Sequence, residues 1–388
     1  MDACSRSKHR VNMGDNNMRK LLIFLVIFTF IVLTSCSTNR QEDFTGQNME
    51  DKIEEDISEI SEEENVEFVY DVSNDLNATL VHNLQMVDNK VYLISYNRNN
   101  IYDDGFEAKV SVFSFEDNTL DIIYEWNSFL DPKQYFRAEQ IADGSIMIYA
   151  GKFLMNHGSN NYVDYQSIHQ DYYLDATYDF VNNRLFFIPA KESKSVFVFN
   201  QKNELVEKSY ALDENEDSEY FLLSIKISPD GEKILTTKAI GHNRENIICM
   251  DSNGKEIFSI NTPVKDPNLK IDWISNDKFV CYYSLNDNTE FIIYDLKGNI
   301  LKRFETPFAI IGEAQHDFSK SYPFGVFCIY GDVTLKGLES ELWIVDFEKG
   351  ISQKIHKTQE TIHAFDLTED GKSIVWVEDL KLRKQNIA

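Results

Sequence analysis

Residues 228–263 have the sequence SPDGEKILTTKAIGHNRENIICMDSNGKEIFSINTP. Three short apolar runs, rich in β-branched residues, alternate here with a Pro-Asp-Gly turn, a polar loop and an Asp-Ser-Asn-Gly turn. Such runs are typical of strands with a buried face, and Gly231 and Gly254 stand where hairpin turns need a positive φ. The stretch therefore predicts three consecutive antiparallel strands joined by tight turns.

The same pattern recurs along the chain, which indicates structural repeats. Four residues of the stretch recur 44 positions later: Asp251, Gly254, Thr262 and Pro263 become Asp295, Gly298, Thr306 and Pro307. Turn signals that follow an apolar strand begin at Asp88, Asp143, Asn182, Asp230, Asn276, Ser319 and Asp370, in steps of 55, 39, 48, 46, 43 and 51 residues. A four-stranded propeller blade has this size. We therefore expect an all-β propeller of seven four-stranded blades, with six or eight as the alternatives.

A second hairpin turn follows in most units, and its spacing predicts how the ring closes. These turns begin near Glu116, Asn200, Asp251, Asp295 and Asp346, which leaves a degenerate hairpin near residues 156–170. The next turn would fall near residue 393, so the last unit lacks its outermost strand. Residues 66–72, VEFVYDV, have strand composition and precede the first complete unit. We expect them to supply that strand and remove an exposed edge.

The turns resemble those of a known group of propellers. Ser228-Pro229-Asp230-Gly231 and Thr368-Glu369-Asp370-Gly371 are similar to the turn of TolB-like and WD-repeat-like propellers. The resemblance covers about residues 65–388 and implies the propeller architecture alone. The Gly-His and Trp-Asp signatures of WD repeats are absent as a repeating set, so no binding residues are carried over from that group.

The N-terminal region has the features of an export signal. A basic stretch at Met18-Arg19-Lys20 precedes the apolar run Leu21–Leu33, which suits a signal peptide and is short for a membrane-spanning helix. Residues 33–36, LTSC, resemble the lipobox of bacterial lipoproteins, which implies removal of residues 1–35 and diacylation of Cys36. The alternatives to a lipoprotein signal are an ordinary signal peptide or an anchor helix with an incidental cysteine. Met13 or Met18 is the alternative to Met1 as the first residue.

Residues 36–64 form a predicted acidic tether between the anchor and the ring. Like charges repel, so we expect a disordered, extended spacer, with an acidic docking tail or a loose cation binder as the alternative. The whole chain has 38 basic and 64 acidic residues. Residues 1–35 contain five basic and two acidic residues, so the rest of the chain has a net charge of 33 − 62 = −29. This charge argues against binding to nucleic acid and against direct adhesion to anionic lipid. The predicted location is the extracytoplasmic face of a bacterial cell membrane.

No catalytic or phosphate-binding motif is found, so we predict no cofactor, no metal site and no catalytic residue. Cys249, Cys281 and Cys328 lie in apolar runs and are interpreted as small buried side chains. The run DENEDSE at 213–219 has calcium-loop spacing at first, but Ser218 and Ser224 replace the glycine and the glutamate that such a loop needs. His82, His316 and His363, on three predicted innermost strands, are interpreted as structural rather than metal-binding.

The irregular unit at residues 152–179 holds the predicted ligand patch. Tyrosine, histidine and asparagine concentrate there, and tyrosine offers both an apolar face and a hydroxyl to a sugar or peptide. Tyr162, Tyr165 and His169 are the candidate ligand residues. The alternative is a degenerate blade whose tyrosines pack against its neighbours.

These features favour a membrane-anchored propeller that binds a protein, peptide or glycan ligand as an interaction scaffold. The first alternative is a propeller-type hydrolase or lyase acting on glycans or peptides, which should gather histidine, arginine and carboxylates at one end of the channel. A structural subunit of an assembly is a further alternative, and it should expose a broad apolar patch on a blade edge.

Overall fold

The structure is a computed structural model. It describes residues 66–387 apart from the segments 77, 79, 98–105, 129–135, 142, 151–152, 158–161, 165–172, 191–192, 200–204, 207–219, 242, 311–315, 319–322, 335–336 and 369. The predicted signal peptide, Cys36 and the acidic tether lie outside the described residues.

The described strands form seven four-stranded antiparallel sheets, which are the blades of a propeller. Each of blades 1–6 takes four consecutive strands, from the innermost to the outermost. Blade 1 contains β2 (Leu80–Val87), β3 (Lys90–Asn97), β4 (Phe106–Ser114) and β5 (Thr119–Ser128). Blade 2 contains β6 (Phe136–Gln140), β7 (Ile146–Ala150), β8 (Phe153–His157) and β9 (Tyr162–Asp164). Blade 3 contains β10 (Tyr173–Asp179), β11 (Arg184–Pro189), β12 (Phe197–Phe199) and β13 (Leu205–Val206).

The remaining blades repeat this arrangement. Blade 4 contains β14 (Tyr220–Ile227), β15 (Lys233–Ile240), β16 (Asn243–Asp251) and β17 (Glu256–Asn261). Blade 5 contains β18 (Lys270–Ser275), β19 (Lys278–Leu285), β20 (Asn288–Asp295) and β21 (Ile300–Thr306). Blade 6 contains β22 (His316–Phe318), β23 (Phe324–Thr334), β24 (Gly337–Asp346) and β25 (Ile351–Thr358). Blade 7 contains β26 (Ile362–Leu367), β27 (Ser373–Glu378), β28 (Lys381–Asn386) and, outermost, β1 (Val66–Asp71). A short helix, α1 (Ser73–Leu76), links β1 to blade 1.

The predicted turns join the strands as the sequence indicates. Six of the seven first turns lie between the two inner strands of their blades, while the one at Ser319 falls in an undescribed segment between β22 and β23. Asp88 and Asn89 both have positive φ, the geometry of a two-residue type I′ hairpin. In the second turn of blade 5, Gly298 has φ +76°, and Asp295 Oδ1 accepts the turn's backbone N–H groups. In blade 2, β8 and β9 form the second hairpin, and the residues that join them, 158–161, fall within the predicted range.

The hydrophobic core lies between neighbouring blades. Leu235 and Cys249 of blade 4, for example, pack with Ile271, Trp273 and Phe279 of blade 5 in one buried cluster. Central strands are buried on both faces by this stacking, so their sequences are nearly continuous apolar runs. The stacking of blades therefore takes the place of a single central core.

The ring is closed by β1, as the sequence predicts. β1 pairs antiparallel with β28, from Val66 opposite Gln385 to Asp71 opposite Lys381. The ring of Phe68 lies 5.7 Å from that of Phe113 in blade 1. One strand from the start of the ring thus completes the last blade and also packs against the first.

A buried carboxylate joins blade 6 to blade 7. Glu378, which is 5% exposed, accepts hydrogen bonds from Thr358 Oγ1 at 2.6 Å and from Trp376 Nε1 at 3.1 Å, and it pairs with His356 Nε2 at 3.0 Å. Burial alone would raise the pKa of Glu378, but these partners lower it to about 2. The carboxylate therefore stays ionised and links β25 to β27.

Candidate functional site

The antiparallel order of each blade gives the ring two different faces. The turns between first and second strands and between third and fourth strands share one end of the blades, and each spans five residues or fewer. We call this the tight-turn face. The opposite end, the connection face, carries the links between blades, such as those at 129–135, 165–172 and 207–219. Loops on a rigid scaffold are the usual carriers of recognition residues, so the connection face and the channel mouth within it form the candidate site.

The innermost strands around the channel carry one polar residue each at an equivalent position. The strand registers align these residues, and all lie a few residues before the first turn of their blade. They are Gln85, Glu139, Thr177, Lys226, Asp272, Asp317 and Asp366. Sequence reasoning missed this set, because most of these strands contain further polar residues and nothing local marks the shared position.

Two carboxylates of these strands fasten neighbouring blades together. Asp175 accepts a hydrogen bond from the backbone N–H of Ala176 at 2.9 Å and from that of Ile225 in the next blade at 2.8 Å. Asp366 accepts from its neighbour Leu367 at 2.7 Å and from the backbone N–H of Met86 in blade 1 at 2.6 Å. Each carboxylate thus satisfies backbone donors on the innermost strands of the two blades that it joins.

Charge pairing adds a third link, between blades 4 and 5. Lys226 Nζ lies 3.3 Å from Asp272 Oδ2, and the Asp272 carboxylate raises the pKa of Lys226. Burial raises the pKa of Asp175, although Lys226, the backbone donors and Arg244 act in the opposite direction. The channel wall of blades 3 to 5 is therefore a fixed network of mixed charge, in which the ionisable groups hold the fold together.

The histidines do not form one equivalent set. His82 and His363 both occupy the extra residue of a β-bulge on their innermost strands, whereas His316 is paired in regular register with Phe327. The ring of His82 lies 4.7 Å from that of Tyr96. Among the residues that the structure describes, no group of three or more His, Cys, Asp or Glu side chains could hold a metal ion.

The three cysteines are buried and unpaired with one another. Burial raises the pKa of Cys249 and of Cys328 to about 12, and it raises the pKa of Cys281 as well. Thiols held in this way are poor nucleophiles and poor metal ligands. Their interpretation as small core side chains is confirmed.

The predicted ligand patch is only partly within the described residues. Tyr162 begins β9, the outermost strand of blade 2, while Tyr165 and His169 lie in the undescribed connection to blade 3. Two other residues of this unit are structural: His157 Nδ1 lies 2.9 Å from Tyr92 Oη, and the ring of Tyr173 lies 4.4 Å from that of Phe187. Burial lowers the pKa of His157. The patch stays a prediction, and the run 213–219 is also outside the described residues.

The chain is similar in structure to known proteins, but it matches no known family. No protein-family model matches the chain, and no curated protein does. Among solved structures, a chain in the crystal structure of a mitotic checkpoint complex is similar, with 11% identity, a TM-score of 0.48 and coverage of 90% of this chain and 99% of that one. This similarity assigns no partner or activity. Within the described part of the chain, no helix is long and apolar enough to cross a membrane. The chain's own seven four-stranded sheets make it a seven-bladed β-propeller.

Proposed function

We propose that this protein is a lipid-anchored, extracytoplasmic propeller that binds a protein, peptide or glycan ligand as an interaction scaffold at the bacterial cell envelope. The observation that carries the proposal is the asymmetry of the ring. Short turns occupy one face, and the long links between blades are gathered on the other. A closed ring fixes the ends of the strands that these links join, which suits recognition of a partner.

The geometry of the innermost strands favours a scaffold over a hydrolase or lyase. Asp175 and Asp366 each accept backbone N–H groups from two blades, and Asp272 pairs with Lys226. A general acid or base must be free to exchange a proton with a substrate. These carboxylates are instead used to hold the channel wall together.

A triple substitution tests the binding role at the predicted patch. Replacing Tyr162, Tyr165 and His169 together with alanine should abolish capture of the partner that the wild-type protein retains from cross-linked envelopes. The melting temperature should change little, because the patch is proposed to serve recognition. Val181→Ala is the control, since Val181 is 61% exposed on the tight-turn face of blade 3. Undiminished capture by the triple variant would move the site elsewhere, and unfolding would show that these side chains belong to the core.

The lipid anchor is tested separately. Metabolic labelling with a fatty-acid analogue should mark the wild-type protein and the Cys4→Ala variant, but not Cys36→Ala. The reason is chemical, since only a thiol at position 36 can carry the thioether-linked diacylglycerol that the lipobox resemblance implies. A wild-type protein that takes up no label would refute the anchor and leave the ring's binding role to be judged by the capture experiment.

A further inference from the structure

The outermost strands of blades 4, 5 and 6 expose aliphatic side chains where they leave the tight-turn face. Ile257 is 46% exposed, Ile300 is 55% exposed and Ile351 is 57% exposed, and Leu301 beside them is half exposed. Single exposed apolar residues are common on protein surfaces. Here the same feature follows the second turn of three consecutive blades, which the packing of the blades does not require.

The segments that carry these side chains are neighbours, because the second turns of blades 5 and 6 each rest on the preceding blade. A Cβ at Gly298 would lie 2.6 Å from Ile260 Cγ2 of blade 4, and a Cβ at Gly350 would lie 3.3 Å from Phe304 Cδ1 of blade 5. The turns therefore bridge β17 to β21 and β21 to β25. We call the surface formed by residues 251–257, 295–303 and 346–351 the rim strip.

The charge of the rim strip differs from that of the chain. Its basic residues are Lys255, Lys297, Lys302, Arg303 and Lys349, and its acidic residues are Asp251, Glu256, Asp295, Asp346 and Glu348, so five charges of each sign cancel. The three aspartates accept backbone N–H groups within their own turns. The whole chain, in contrast, carries a net charge of −26. The rim strip is thus a neutral, aliphatic surface on a strongly acidic protein.

The chain enters the ring at the same end of the blades. Val66 opens β1 opposite Gln385, near the end of β28, just as Ile300 opens β21 opposite Tyr294. Blade 7, which contains β1, is the neighbour of blade 6, which contains Ile351. A membrane anchor upstream of Val66 would therefore be joined to the ring, through the predicted tether, at the end of the blades that carries the rim strip.

We propose that the rim strip lies against a phospholipid surface. The aliphatic side chains enter the boundary between headgroups and acyl chains, and the lysines reach the headgroups with their long stems. The chain's net charge of −26 opposes contact with anionic lipid, but a neutral surface on the side that faces the membrane avoids most of that repulsion. The connection face then points away from the membrane. The inference rests on the membrane anchoring in the proposed function.

Photo-crosslinking in vesicles tests the contact. The full chain, with a benzophenone amino acid at position 300, is reconstituted in vesicles of phosphatidylethanolamine and phosphatidylglycerol and irradiated. The matched control places the same amino acid at position 285. Leu285 is in the same blade and 47% exposed, but it lies at the connection-face end of β19. We expect at least about fivefold more lipid adducts from position 300 than from position 285 in protein that floats with the vesicles.

The outcomes distinguish contact of the rim strip with lipid from acylation of Cys36. Equal lipid adducts at the two positions would overturn it, as would adducts between two protein copies at position 300, which would assign the rim strip to self-association. Lipid adducts at position 300 in a protein without an acyl chain on Cys36 would support the rim strip and refute the lipid anchor. In the triple variant Ile300→Asn, Leu301→Asn, Ile351→Asn, a benzophenone at position 257 should lose its lipid adducts while the melting temperature stays within a few degrees.

Discussion

At the scale of single residues, carboxylates on the blades act as links between neighbouring sheets. Asp175, Asp366 and Glu378 lie on three different strands, and each accepts hydrogen bonds from two blades. A buried carboxylate is costly unless its oxygens are satisfied, and a carboxylate that is well bonded is held ionised. The partners of Glu378 lower its pKa, so protonation of this carboxylate weakens the link between blades 6 and 7, whereas burial raises the pKa of Asp175.

Glu378 makes this dependence on pH measurable. Its folded-state pKa is about 2, below the ordinary 4.5, so its stabilisation is complete above pH 4.5 and is lost as the pH falls toward 2. The shift corresponds to a free energy on the order of 3 kcal/mol. Urea unfolding at pH 6, 4.5 and 3 should show a smaller loss of stability for Glu378→Gln than for the wild type. The exposed Glu360→Gln serves as control, and parallel curves for wild type and Glu378→Gln would contradict the assignment.

At the scale of elements, the second turn of a blade both reverses the chain and sets the distance to the preceding blade. Gly298 has φ +76° and leaves no room for a Cβ beside Ile260, whereas Gly144 has φ +83° and no atom within 4 Å of a Cβ. The two glycines therefore separate the cost of backbone strain from the cost of contact. A turn that only reversed the chain would require a residue that tolerates a positive φ, but it would not require the absence of a Cβ.

Alanine substitutions at these two glycines should differ in effect. Both place a side chain in the left-handed region, which costs roughly 1–2 kcal/mol. Gly298→Ala should lose about 1 kcal/mol more than Gly144→Ala in chemical denaturation, because the blades must also move apart or repack. Equal losses would mean that the turn of blade 5 does not fix the spacing to blade 4.

Most of the elements that the sequence predicts are local, and closure by β1 is predicted only because the repeat count leaves the last unit one strand short. Turns such as Asp88-Asn89 and Asp230-Gly231 are recognisable because the backbone geometry that they need is encoded in adjacent residues. Asp366 and Met86 are 280 positions apart, and their hydrogen bond depends on how two blades are aligned when the ring closes. No short-range pattern contains that information. The rim strip was missed for the same reason, because its three segments become neighbours only through the stacking of blades.

At the scale of the whole molecule, the ring depends on one strand from the other end of the chain. Deleting residues 66–72 should lower the melting temperature of the entire ring, because β28 loses its partner and Phe68 no longer covers Phe113. Deleting residues 41–50 is the control and should have little effect, since they precede the described ring. Thermal denaturation followed by circular dichroism measures both. Equal stability of the two deletions would refute closure by β1.

The pairing of β1 with β28 also sets the timing of folding. β1 is the first of the described strands to emerge where the ring folds and β28 is the last, and the paired residues Val66 and Gln385 are separated by nearly the entire ring. Six blades can form from neighbouring segments as the chain emerges, but blade 7 must wait for β28. Until then β1 remains without a partner, so a chain interrupted anywhere before residue 381 leaves an open sheet edge for proteases and chaperones to recognise.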